Sequence, residues 1–243
     1  MFSAAYREFV LWPPAGAPVS LATWLRELKG FVKCLATPPP FPETAARGHD
    51  EPVLVVPAFL SPDLSTVAIR KFLRQQGFAP VPWGCGINFG PTPNALAKLR
   101  QCIRANAERY QRKVFVVGIS LGGTLAREAA KPCANCIEHL VTVASPVNLP
   151  VVTPLAPFAR FASLFWDADM KLAAARVAEP PPIPLTAIVS LSDGIVDWRA
   201  CVPRPSSQTE IVALSGDHMT MGSNPDVLRV IAARLAGNQN MTD

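Results

Sequence analysis

Residues 114–123 read Val-Phe-Val-Val-Gly-Ile-Ser-Leu-Gly-Gly. No other stretch constrains the fold as tightly. The run Val114–Val117 suits a strand covered on both faces. It passes straight into Gly118-Ile119-Ser120-Leu121-Gly122, and a helix-forming stretch then extends to about Lys131, where Pro132 blocks it. A strand that turns into a helix with no loop between them is a unit of a mostly parallel sheet with helices on both faces. The glycines beside Ser120 are expected to let the chain turn sharply at a strained φ/ψ. The serine then stands at the C-terminal edge of the sheet, over a helix N-terminus. Backbone donors and the helix dipole there favour a developing oxyanion.

The same alternation runs from residue 52 onward. Strands are predicted at Val53–Val56, Ala79–Trp83, Leu140–Ala144, Leu185–Leu191 and Glu210–Leu214. Helices are predicted at about Ser65–Gln76, Asn94–Tyr110 and Pro225–Leu235. With 49% apolar residues in 243, the chain can bury one sizeable core. The expected organisation is an irregular and helical extension over 1–50 and one α/β domain over 51–243. The proline-rich segment 147–184 interrupts the alternation and is expected to form an inserted cap. In the extension, Leu21, Trp24, Leu25, Leu28, Phe31, Val32 and Leu35 fall on one face of a predicted helix. That helix either packs on the main domain or presents a surface to a partner.

Composition narrows the function classes. A net charge of +5 is spread along the chain, without a Lys/Arg stripe interleaved with aromatics, so no nucleic-acid surface is expected. No apolar stretch reaches the ~18–20 residues of a membrane helix, so no transmembrane segment is expected. The start of the chain lacks a basic stretch leading into an apolar run, which points to the cytoplasm. Cys133-Ala134-Asn135-Cys136 has the spacing of a redox pair or half a zinc site. It stands without a second pair, so ordinary thiols in a loop are expected, with no metal and no cofactor.

A serine hydroxyl needs an adjacent base. The chain has three histidines. His49 precedes the first core strand, and His139 lies at the start of a strand, opposite the Ser120 end. His218 follows the last strand, where a loop can reach Ser120, and is the expected base. The base needs an acid to hold its tautomer. Asp193 comes directly after the strand 185–191 and is the expected acid, with Asp197 in reserve. Asp217, next to His218, is expected to cap the loop. The oxyanion donors are expected to be the backbone N–H groups of Leu121 and Phe59.

With these pieces in place, the chain resembles the bacterial lipase-like and esterase-like members of the α/β-hydrolase superfamily. The stretches that carry the resemblance are Val55–Leu60, Trp83–Thr92, Val117–Gly123, Ala144–Pro146, Ser192–Trp198 and Gly216–Met219. Together they span roughly residues 52–236. The resemblance implies an α/β-hydrolase fold, and with the alternation and the segment 147–184 the expected architecture is a doubly wound, mostly parallel sheet with a small proline-rich cap. It also implies a triad of Ser120, Asp193 and His218. In that family the first loop usually reads Pro-Gly-Phe; Ala58 stands here in place of the glycine, and an alanine disfavours positive φ.

The expected reaction is hydrolysis of a carboxylic ester, acyl or lipid, through an acyl-enzyme. An acyltransferase and a silent binding protein on the same fold are the alternatives. Phe158, Phe161, Leu164, Phe165 and Trp166 fall in the cap segment. They either line an acyl pocket, with Phe158, Phe161, Phe165 and Trp166 as its walls, or pack the cap onto the body.

Overall fold

The structure is a computed structural model that describes residues 21–44, 46–90, 92–148, 177 and 179–237. In chain order its elements are α1 (Leu21–Ala36), β1 (Pro52–Val56), α2 (Val67–Gln75), β2 (Ala79–Pro82), α3 (Pro93–Tyr110), β3 (Val114–Ile119), α4 (Leu121–Ala130), β4 (Ile137–Val143), β5 (Leu185–Ser190), β6 (Thr209–Leu214) and α5 (Pro225–Leu235). Short 3-10 turns fill Asp63–Thr66, Lys131–Cys136, Trp198–Cys201 and His218–Ser223.

Six strands form one sheet in the order β2-β1-β3-β4-β5-β6, and every neighbouring pair is parallel. The central strands are apolar without alternation because both faces are covered. In β1, Val53 and Val55 pack on one side with Ile69, Phe72 and Leu73 of α2 and Leu228 and Ile231 of α5. Leu54 and Val56 pack on the other side with Leu96, Leu99 and Ile103 of α3 and Leu125 and Ala129 of α4. This is the doubly wound arrangement that the alternation predicts. Pro80 and Pro82 sit in β2, an edge strand, where a missing backbone donor is tolerated.

Some boundaries differ from the sequence reading. β4 begins at Ile137, three residues before the expected start, because β3 supplies a parallel partner as far back as Val114. Cys133 and Cys136 belong to a 3-10 turn, not a loop; both are free thiols, and burial raises the pKa of Cys133. The expected cap 147–184 lies mostly outside the described residues. Among the described residues, no helix is long and apolar enough to cross a membrane.

Parallel register brings the C-terminal ends of all six strands to one edge. β3 ends at Ile119, β5 at Ser190 and β6 at Leu214. The segments that leave these three ends carry Ser120, Asp193 and His218. Ligands of open α/β sheets bind beyond this edge.

Candidate active site

Ser120 sits between β3 and α4 with φ 51° and ψ −128°. That conformation costs on the order of 1–3 kcal/mol for a non-glycine residue. It is held by the Ser120 N–H, which donates to the Val143 carbonyl of β4 at 2.7 Å. The strain falls on the serine itself, since neither Gly118 nor Gly122 has a positive φ, and the glycines serve as expected by sparing the turn Cβ clashes. Glycine is required there for close approach. A Cβ on Gly122 would collide with the carbonyls of Val56 and Pro57, and one on Gly118 with the backbone of Gly123. The start of α4 therefore lies directly against the loop leaving β1.

The three sequence-derived residues meet in one hydrogen-bonded line. His218 Nε2 lies 2.9 Å from Ser120 Oγ, and His218 Nδ1 lies 2.6 Å from Asp193 Oδ2. The Asp193 side chain is 1% exposed and that of His218 10%. The other carboxylate oxygen of Asp193, Oδ1, accepts the N–H groups of Ile195 and Val196, both at 2.8 Å, which fixes the plane of the carboxylate. Asp197 is elsewhere: its Oδ1 accepts the Arg199 N–H at 2.9 Å and caps the turn Trp198–Cys201. Asp217 makes no capping bond, against expectation; its carboxylate instead accepts from Arg26 Nε at 3.0 Å. His139 stays in β4, where its Nε2 lies 2.9 Å from Thr186 Oγ1 and burial lowers its pKa.

The loop after β1 contains the expected second oxyanion donor. Leu60 N–H donates to the Asn88 carbonyl at 2.7 Å and Ser61 N–H to the Ala58 carbonyl at 3.2 Å. The Phe59 N–H has no partner among the described residues, and neither does that of Leu121, the first residue of α4. Positive φ falls on Leu60 (55°), not on Ala58, so alanine in place of the usual glycine introduces no backbone strain.

Several supporting residues escape sequence reasoning. Asn88 is fully buried. It donates from Nδ2 to the Pro57 carbonyl at 2.7 Å and accepts the Gly90 N–H at 2.9 Å, pinning the loop after β1 to the segment 83–90. Ser190 and Ser192 both donate to the Gly216 carbonyl, and Ser192 Oγ also accepts the Gly216 N–H at 2.9 Å. These bonds join the loop of Asp193 to the loop of His218. Asn88, Ser192 and Gly216 lie in stretches already singled out, whereas Ser190 carried no signal of this role in the sequence.

Among the described residues, no group of His, Cys, Asp and Glu could hold a metal ion. The expected pocket residues Phe158, Phe161, Phe165 and Trp166, with Leu164, lie outside the described residues.

The family described as PGAP1-like alpha/beta domain matches residues 93–229, more than half of the chain. No curated protein matches it. Among solved structures, the chain is similar to a member of the metagenome-derived lipolytic enzymes LipS and LipT (TM-score 0.56, 16% identity, covering 79% of this chain and 94% of that one). It is similar to a monoacylglycerol lipase of Paleococcus ferrophilus (TM-score 0.57, 15% identity, 80% and 97%). A third likeness is to the mature lipase BlEst2 of Bacillus licheniformis (TM-score 0.58, 14% identity, 82% and 96%). At these identities the likenesses show the fold, which is that of the α/β-hydrolases.

Proposed function

The chain belongs to the PGAP1-like alpha/beta domain family, and on that premise we propose that it hydrolyses carboxylic esters through an acyl-enzyme on Ser120. The observation that carries the reading is the line Asp193 Oδ2–His218 Nδ1–His218 Nε2–Ser120 Oγ, with spacings of 2.6 and 2.9 Å. The Nδ1–H donates to Asp193, which leaves Nε2 as the acceptor for the serine proton. Ser120 Oγ attacks the ester carbonyl as His218 takes its proton. The oxyanion forms against the N–H groups of Phe59 and Leu121. Collapse expels the alcohol, which receives the proton from His218. Water, activated by the same imidazole, then releases the acid. No step calls for a cofactor.

The substrate is a lipid or other acyl ester on this reading. Two facts support it: the lipolytic character of the similar solved structures, and the aromatic content of 158–166. Phe158, Phe161, Phe165 and Trp166 are the proposed walls of the acyl site. An ester chain-length panel tests both parts. Wild-type protein should cleave p-nitrophenyl esters with kcat/KM rising from acetate to longer chains. Each methylene in contact contributes at most about 0.8 kcal/mol. Phe165→Ala and Trp166→Ala should flatten that rise, and Ser120→Ala should abolish turnover throughout. Hydrolysis by Ser120→Ala at the wild-type rate would remove the reading, and a profile flat before and after the aromatic substitutions would remove the acyl site alone.

A further inference from the structure

Helix α1 docks against its own hydrophobic pattern. Four residues of the apolar stripe point outward: Leu25, Leu28, Val32 and Leu35 are all exposed, Leu35 at 69%. Glu27, in the same helix, is 0% exposed. The face that meets the body is Thr23, Arg26, Glu27, Gly30 and Cys34, spaced as one side of a helix. A buried carboxylate is unfavourable unless its oxygens are satisfied. Those of Glu27 are, and entirely by backbone from distant loops. Oε1 accepts the Gly194 and His218 N–H groups, each at 2.7 Å, and Oε2 accepts the Met219 N–H at 3.0 Å.

The identity of these donors gives the contact its meaning. Gly194 follows the acid Asp193, and the His218 N–H belongs to the base itself. A single oxygen thus bridges the backbones from which the two side chains of the 2.6 Å Asp193–His218 bond project. The approach is close enough that a Cβ on Gly194 would meet Glu27 Cγ at 2.7 Å and the Thr23 carbonyl at 2.9 Å, so only glycine fits. The neighbouring Arg26 spans the same two loops, donating to Asp217 Oδ1 at 3.0 Å and to the Ser192 carbonyl.

We infer that Glu27 is a positioning residue for the acid–base pair: its carboxylate sets the separation of the Asp193 and His218 backbones and so preforms the relay to Ser120. It acts through the two loops, with no part in binding substrate. The inference rests on the triad reading above.

The test is a series of Glu27 variants in the full chain, compared with wild type in kcat, KM, pH profile and thermal midpoint. Glu27→Gln keeps the length and can retain Oε1 with its two donors, losing only the bond to Met219. Glu27→Asp keeps the charge but falls one methylene short. Glu27→Ala removes every acceptor. Positioning requires kcat to fall in the order Gln, Asp, Ala, with KM little changed and Ala losing on the order of 10²-fold. In Glu27→Ala the kcat/KM pH profile should also differ from that of wild type, because the imidazole is held less firmly against Asp193. Formate added to that variant should restore part of kcat by occupying the vacated acceptor site. If Glu27→Ala does not fold, the comparison of Gln with Asp carries the test. Equal kcat in those two, or losses that merely follow the thermal midpoint with an unchanged pH profile, would overturn the inference. In that case Ser120-dependent wild-type activity would still stand. Wild-type activity that persists in Ser120→Ala would instead bring down the triad reading.

Discussion

Asp193 and Asp197 are four residues apart, and their surroundings separate their roles. Asp193 is buried against His218, with its second oxygen held by two backbone N–H groups. Asp197 ends its reach at the Arg199 N–H. Replacing Asp193 by Asn leaves the shape and removes the acceptor that fixes the imidazole tautomer. Asp193→Asn should lower kcat on the order of 10³- to 10⁴-fold. Asp197→Asn should leave kcat near wild type, since asparagine caps as well as aspartate. Steady-state kinetics on one soluble ester decide the matter, and the reverse ranking would assign the acid to Asp197. At this scale the sequence was informative because the signals are local: a serine in a strand–turn–helix, and an aspartate and a histidine each just past a strand. The Ser120 conformation was legible only in part. The glycines were visible, but which residue would take positive φ depends on how closely α4 packs on the Val56 and Pro57 carbonyls.

Elements show where that legibility ends. The strands and helices of the sheet follow from periodicity, and their burial follows from parallel pairing. The docked face of α1 does not. Periodicity locates its apolar stripe, of which Leu25, Leu28, Val32 and Leu35 are exposed while Trp24 packs partly against Ile195 and Val196. The donors to Glu27 stand 167 to 192 residues away in sequence, so no local pattern can reveal them. The loop after β1 is similar. Its conformation depends on Asn88, which answers Pro57 across 31 residues. Asn88→Ala would leave the Pro57 carbonyl and the Gly90 N–H without partners, at about 1–3 kcal/mol for each buried group left unsatisfied. Urea denaturation should show that loss, and kcat should fall with it as the Phe59 N–H is released. Wild-type stability together with wild-type kcat in Asn88→Ala would show that the loop holds itself.

For the whole molecule, half-buried titratable groups away from the site contribute to the response to acid. Burial lowers the pKa of His139 below its ordinary value of 6.5, against the opposing attraction of Glu210. The folded state therefore binds its proton less readily than the unfolded chain does. The stability contributed is complete above pH 6.5 and is lost as the pH falls from there toward the folded-state value. Glu210 extends the trend. Burial raises its pKa, but hydrogen bonds and charge from Arg234 outweigh that, so its net shift is downward. Its contribution is present above the ordinary carboxylate range and is lost as the pH falls through the lowered value. Chemical denaturation at pH 7.5, 6.5 and about 5.5 should show stability falling with pH. In His139→Gln that slope should be shallower between the two lower points. An identical slope in the variant would assign the acid response to other groups.

The central claim is that Ser120 is a nucleophile activated by His218 and oriented by Asp193. The most direct measurement is the rate of covalent labelling by a fluorophosphonate, followed by intact mass and by peptide mapping. One adduct per chain is expected, mapped to Ser120, absent in Ser120→Ala and formed orders of magnitude more slowly in His218→Ala. Labelling at another residue, or at the wild-type rate without His218, would contradict the claim.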